Sequence, residues 1–313
     1  MREAKATSIS SVRHTLCLGV DQTGAVTRGG LAWKKLPAAR AYLDQRGLQV
    51  QVLNPHSGAP FELDSFSTAG LMKVIQTEGP SRVGQTRVLV DCVLGLPAPI
   101  TTQIRMPPFF PPTAEPLRWA LKAAAQHHRD CLREGVPARG RPAAEAFFLE
   151  LFRQSGLEEI PERTCEKRAG ANSVFRARPY QKNVQTGTYR IWVELGLDLL
   201  SAQGALNLQF PHHEDSVGIS RKISVEESWP SLIWREFLGL PSRQPEALSG
   251  ALQKVAKNKG VLIHCAEADL QWCAEHPDHA DALVLALAGF FLPSATPDSI
   301  PSGEGWITGL AKT

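Results

Sequence analysis

A chain of 313 residues with 43% hydrophobic content is long enough to bury a sizeable core, as one large domain or two modest ones. A formal net charge of +3 excludes recognition of a polyanion by overall charge, so any nucleic-acid partner must be met by a local basic patch. The six cysteines, Cys17, Cys92, Cys131, Cys165, Cys265 and Cys273, include no CxxC pair, which argues against a zinc knuckle or a redox dithiol and for reduced, mostly buried thiols.

The first residues lack a signal-peptide h-region, and the longest apolar run, near Ala282 to Leu292, is too short to span a bilayer. A soluble cytoplasmic protein without membrane contact is expected. His14 to Val20 reads as a buried strand, which leaves Asp21 at its C-terminal tip. Gln22 to Ala25 is a tight-turn sequence, and Ala25 to Trp33 is expected to form a second strand antiparallel to the first, with Gly29 and Gly30 marking a bulge or close backbone approach. A third strand is expected around Leu48 to Leu53, with Ala38 to Leu43 as its early part or a short helix, and a helix follows at about Ser65 to Thr77. Thr86 to Asp91 is a further short apolar run that again ends in an aspartate.

From Ala98 to about Pro116 the chain is Pro-rich and loop-like, and it leads to two amphipathic helices at about Leu117 to Glu134 and Pro142 to Gln154. Together they read as a helical insertion over residues 101–165 within a single domain of residues 1–313. Inside it, His127, His128, Arg129 and Asp130 read as a solvated helix face, as do Glu145 and Glu150. The next segment interleaves Arg168, Arg176, Arg178, Lys182 and Arg190 with Phe175, Tyr180, Tyr189 and Trp192. Phosphate contacts with base or sugar stacking would use that mixture, and so would a basic surface facing acidic neighbours. Asn183 to Arg190 is expected to be a polar loop entering a helix that runs through Leu195.

His212, His213, Glu214 and Asp215 are of metal-ligand type but adjacent rather than spaced to converge, so they read as a loop. Arg221 to Glu227 reads as a strand ending in acid, with a helix after Pro230. A helix at Pro245 to Lys257 and a less regular segment at Val261 to Cys273 precede His276-Pro277-Asp278-His279-Ala280-Asp281-Ala282-Leu283. If Asp278 lies in the first turn of a helix, Asp281 falls on the same face one turn later. Asp278 suits a cap, whereas Asp281 leads into an apolar run in which a charge needs a partner.

Three strand-tip carboxylates and a helical pair form a coherent set only if the strand ends share one edge of a sheet. Clustered carboxylates repel one another and take up protons unless divalent cations neutralise them, which points to Mg²⁺ or Mn²⁺. Two such ions about 4 Å apart can activate a water and stabilise the leaving oxygen of a phosphodiester displacement.

Gly19-Val20-Asp21, Val90-Asp91 through Gly95-Leu96-Pro97, Val225-Glu226-Glu227 through Pro230, Asp278 through Leu283, and Glu304-Gly305-Trp306-Ile307 occur in that order along most of the chain. This set resembles the family called domain of unknown function 429, predicted to be ribonuclease-H-like nucleases. Its Asp-x-x-Asp-Ala-Leu segment also resembles the end of the bacterial Holliday-junction resolvase active site. The resemblance implies an α/β fold: a ribonuclease-H-like mixed sheet flanked by helices, here with a helical insertion. It implies Asp21 as the central bridging metal ligand, Asp91 and Glu227 as further catalytic acids, and Asp281 as the helical ligand with Asp278 assisting. Glu227 is preferred to Glu226 because it stands three residues before Pro230, where the family places its glutamate. The chain departs from the family in having Gln22-Thr23 after the first aspartate and in its large insertion. The expected activity is metal-dependent hydrolysis of DNA or RNA, with Arg168, Arg176, Arg178, Lys182 and Arg190 holding the backbone. Two other classes compete. One is an actin-like ATP-binding phosphotransferase using Gln22-Thr23-Gly24 and Arg28-Gly29-Gly30 as a phosphate turn, although no second phosphate loop is evident. The other is a nucleic-acid-binding module without catalysis.

Overall fold

The computed structural model describes residues 15–22, 25–54, 63–76, 85–103, 116–159, 161–170, 182–201, 208–210, 223–294, 300 and 304–310. Strand β1 (Thr15–Val20) shows how the sheet is built. Leu16, Leu18 and Val20 point into one apolar cluster and Cys17 into another, so the strand is covered on both faces. A strand buried on two sides reads as a continuous apolar run, as this one does.

The seven-stranded mixed sheet has the order β5-β6-β4-β1-β2-β3-β7. Its other members are β2 (Ala38–Asp44), β3 (Gly47–Leu53), β4 (Gln85–Val90), β5 (Leu208–Gln209), β6 (Ile223–Glu227) and β7 (Ile263–His264). β2 is antiparallel to both its neighbours, and every other pairing is parallel. In the centre, Val20 pairs with Val90 and Val90 with Glu227. The C-terminal tips of β1, β4 and β6 therefore lie side by side, and Asp21, Asp91 and Glu227 stand at one edge of the sheet.

On one face pack α1 (Thr68–Gln76), α3 (Pro116–Glu134), α4 (Gly140–Ser155) and α6 (Lys182–Leu200). The other face is covered by α8 (Leu248–Lys259), α9 (Glu267–Glu275) and α10 (Pro277–Phe291). The short helices α2 (Ala98–Gln103), α5 (Thr164–Ala169) and α7 (Pro230–Leu232) sit among the connections, and α7 runs into a π-helical turn at Ile233–Phe237. Among the described residues, no helix is long and apolar enough to cross a membrane. All six cysteines are free thiols, five of them buried.

α10 lies across β1, β2 and β4, with every residue from Ala280 to Gly289 buried. Burial of each Leu or Val in that run contributes about 1.5–3 kcal/mol. The crossing is close because of Gly19, where a Cβ would collide with the Ala282 carbonyl oxygen and the Ala286 backbone nitrogen. That approach seats the first turns of α10 beside the tip of β1.

Four expectations are corrected. Residues 25–33 are not a second strand but a turn-rich excursion closed by a single Val26–Trp33 bridge. Gly29 and Gly30, at φ 89° and 71°, turn it back on itself, and residues 27–32 are exposed, Leu31 included, so no face of the segment is buried against the sheet. The partner of β1 is the Ala-rich segment from Ala38, whose small side chains fit beneath α10. Asn183 to Arg190 is helical throughout, because Tyr189, Ile191 and Trp192 bury the helix in the core. The face at His127 to Asp130 is only partly solvated: His128 is buried, stacks on Trp33 at 5.4 Å and shares a 2.7 Å hydrogen bond with the Ala138 carbonyl. The two expected insertion helices exist as α3 and α4, and both pack on α6. His212 to Asp215 lies outside the described residues.

Candidate metal centre

Ligand oxygens of Asp21, Asp278 and Asp281 all lie within 4.8 Å of one another. Each arrives by a different local rule. Asp21 follows the last residue of β1 and is 5% exposed. Asp278 is exposed and sits directly after Pro277, whose missing N–H costs nothing at a helix start. Asp281, 2% exposed, comes one turn later on the same face. Asp91, expected as a further ligand, lines the same cavity from the tip of β4 and lies against the Asp21 carboxyl, but it is not among the three residues whose oxygens converge.

The cavity has a volume of about 530 Å³. Its walls include Asp21, Gln22, Asp91, Asp278, Arg141 and Arg243, together with Gly140 at the start of α4 and Asn183 and Thr186 in the first turns of α6. One pocket thus holds a carboxylate floor and a rim of two arginines and two helix N-termini, which carry partial positive charge.

Electrostatics at the floor are unfavourable without a cation. Burial, then the charges of Asp91, Asp281 and Asp278, hold the Asp21 carboxyl well above the usual carboxylate range. Asp91 is pushed up to about 7, by burial first and then by Asp281 and Glu227, against the lowering effect of its bond to Asp21. Asp281 is raised to about 6 by burial, although hydrogen bonds from Trp234 and Arg243 oppose the shift. The Trp234 indole N–H donates to Asp281 Oδ1 at 2.7 Å, and the π-helical turn carries that ring. Arg243 pairs with Asp278 Oδ1 at 3.3 Å and with Asp281 Oδ2. The donor set fits a hard divalent cation: hard carboxylate oxygens, a shared focus and an excess of negative charge. Gln22 Oε1 adds an acceptor that is buried without a hydrogen-bond donor among the described residues, and Gly187 leaves room for its side chain.

Glu227 is not part of this group, which corrects its assignment as a metal ligand. Arg163 grips it with two bonds, Nη1 to Oε2 at 2.7 Å and Nη2 to Oε1 at 2.6 Å. The Leu94 N–H donates to Oε2 at 2.8 Å and the Trp229 indole to Oε1 at 3.0 Å. Both oxygens are committed, and both ends of the pair are fully buried. Its neighbour Glu226 is likewise consumed, by Arg87 at 2.7 and 2.8 Å.

The basic segment is corrected in part as well. Arg190 is wholly buried, donating to Glu194 at 3.1 Å, to the Lys34 carbonyl at 2.5 Å and to the Asp64 carbonyl at 3.2 Å. It braces the 25–33 excursion and the approach to α1, and is out of reach of any backbone phosphate. Tyr189 and Trp192, expected as stacking rings, are buried too. Arg168 is exposed on α5, with its guanidinium over the Trp306 ring at 5.7 Å. Arg176, Arg178 and the Lys182 side chain lie outside the described residues. The residues that reading from sequence missed are Arg243, Arg141 and Trp234. The first two lie in or beside loops with no periodicity to place them, and Trp234 resembles any core tryptophan.

No known protein family, curated protein or solved structure matches the chain.

Proposed function

We propose that the chain is a divalent-metal-dependent nuclease built on a ribonuclease-H-like core. One observation carries the reading: the carboxylate at the tip of β1 and two from the start of α10 converge at one edge of the sheet, beside a cavity of about 530 Å³ that Asp91 from the next strand tip also lines. The strand plan supports the core, since the first two strands are antiparallel and a helix then leads to an acid-tipped strand parallel to the first. The resemblance of Asp278 through Leu283 to a resolvase active site points the same way.

A divalent cation bound by Asp21 and Asp281, with Asp278 assisting, supplies Lewis-acid activation of water and stabilisation of the leaving oxygen. The protein's own residues do the rest. Asp91 stands against the Asp21 carboxyl, and Trp234 donates to Oδ1 of Asp281, leaving Oδ2 as the oxygen that Arg243 meets. Arg141 and the N-termini of α4 and α6 face the same space and favour an anionic, phosphate-bearing substrate beside the carboxylates. The described strands form one sheet, which gives a duplicated actin-like core no support. Thr23 and Gly24, needed for its phosphate turn, lie outside the described residues.

The test is cleavage of a panel of single-stranded, duplex and branched DNA and RNA with Mg²⁺ or Mn²⁺. Cleavage of at least one substrate is expected, lost in Asp21→Asn and Asp281→Asn proteins that remain folded. A protein that cleaves nothing on the panel with either ion overturns the proposal.

A further inference from the structure

We propose that Arg243 is the resident counter-cation of the carboxylate group and must give way when a metal ion enters, so that this one side chain sets the affinity of the site for metal. The inference rests on the metal-centre reading above and adds a regulator to it.

Competition follows from which atoms are committed. The guanidinium pairs with Asp278 Oδ1 through Nη1 and with Asp281 Oδ2 through Nη2. Those two residues supply two of the three converging ligands. The other oxygen of Asp281, Oδ1, is held by the Trp234 indole. Oδ2, already met by Arg243, is therefore the oxygen over which an entering metal ion and the guanidinium would compete. Asp21 completes the group: 5% exposed, it lines the cavity and has no ion pair with a cation among the described residues. A guanidinium paired with two acids acts on this third one only through space, without an ion-pair contact. A metal ion at the common focus would serve all three.

The surroundings let Arg243 leave. It lies in the irregular stretch between the π-helical turn and the 3₁₀ turn at Pro245–Ala247, its side chain is 41% exposed, and it borders the open cavity. No helix or strand has to break for the guanidinium to swing into the cavity.

Mn²⁺ binding by calorimetry and thermal melting, on EDTA-treated wild type, Arg243→Gln and Arg243→Lys, separate the outcomes. Removing a positive charge next to the ion, with partial screening by solvent, should tighten Mn²⁺ binding by about tenfold or more in Arg243→Gln. Arg243→Lys, which keeps the charge, should stay near wild type. Metal-free Arg243→Gln should melt below wild type, because Asp278 and Asp281 then face each other unpaired, and saturating Mn²⁺ should close that gap. Equal or weaker Mn²⁺ binding by Arg243→Gln overturns the inference. So does a melting deficit that is the same with and without Mn²⁺, the mark of a purely structural prop. If neither wild type nor Arg243→Gln binds Mn²⁺, the metal-centre reading itself has failed, and the inference falls with it.

Discussion

Replacing Asp91 with Asn in the metal-free protein should flatten the dependence of stability on pH. The carboxyl of Asp91 is raised from 3.8 to about 7 in the folded chain. Between those values the folded state holds a proton that the unfolded chain has released, so stability falls as pH rises, the reverse of an ordinary salt-bridged carboxylate. The loss begins near the unfolded pKa and is complete above the folded one. Part of that window lies above pH 5, and each pH unit over which the folded chain holds the extra proton is worth about 1.4 kcal/mol, so ionising the adjoining Asp21 and Asp91 carboxyls costs the fold a few kcal/mol as pH rises to 8. Asp281, raised to about 6, adds a smaller loss in the same direction. Urea unfolding in EDTA at pH 5 and pH 8 measures both. The wild type should lose several kcal/mol over that interval and Asp91→Asn markedly less, because the amide does not titrate. Saturating Mn²⁺ should restore wild-type stability at pH 8. Equal losses in the two proteins, or a wild type that gains stability toward pH 8, would refute the picture of acids crowded together without a cation.

Three further outcomes follow from the geometry. Arg163→Met leaves Glu227 buried without its cation and should destabilise the protein by about 3–5 kcal/mol in urea titrations, at any Mn²⁺ concentration. Gly19→Ala should cost at least about 1–3 kcal/mol by overpacking, and it should weaken Mn²⁺ binding as well, since α10 can only relieve the clash by carrying Asp281 away from Asp21. Trp234→Phe keeps the ring but removes the N–H on Asp281, so calorimetry should show a loss of about 10–100-fold in Mn²⁺ affinity with little change in far-UV circular dichroism.

Much of the site could be read from the chain because each acid is attached to an element with a strong period. β1 is an apolar run that stops at Asp21, β4 closes with Val88-Leu89-Val90 before Asp91, and α10 announces itself through Pro277 and the apolar run after Asp281. What stayed hidden depends on partners far away in sequence. Glu227 looks like its fellow strand-tip acids, yet Arg163, 64 residues away, takes it out of the group. Arg243 reaches Asp281 across 38 residues from a loop with no pattern to place it. β2 was ambiguous because alanines suit a helix as well as a strand, and only burial beneath α10 decides between them. Arg190 did carry a readable signal: its i,i+4 relation to Glu194, beside Tyr189 and Trp192, is that of a buried helix face rather than an open basic surface.

The most direct test of the central claim is anomalous diffraction from crystals grown with Mn²⁺. The account predicts a peak within bonding distance of carboxylate oxygens from both Asp21 and Asp281, with Asp278 adjoining and the Arg243 guanidinium displaced from Asp281. A well-ordered site with no anomalous peak at saturating Mn²⁺, and Arg243 still paired to Asp281, would contradict it.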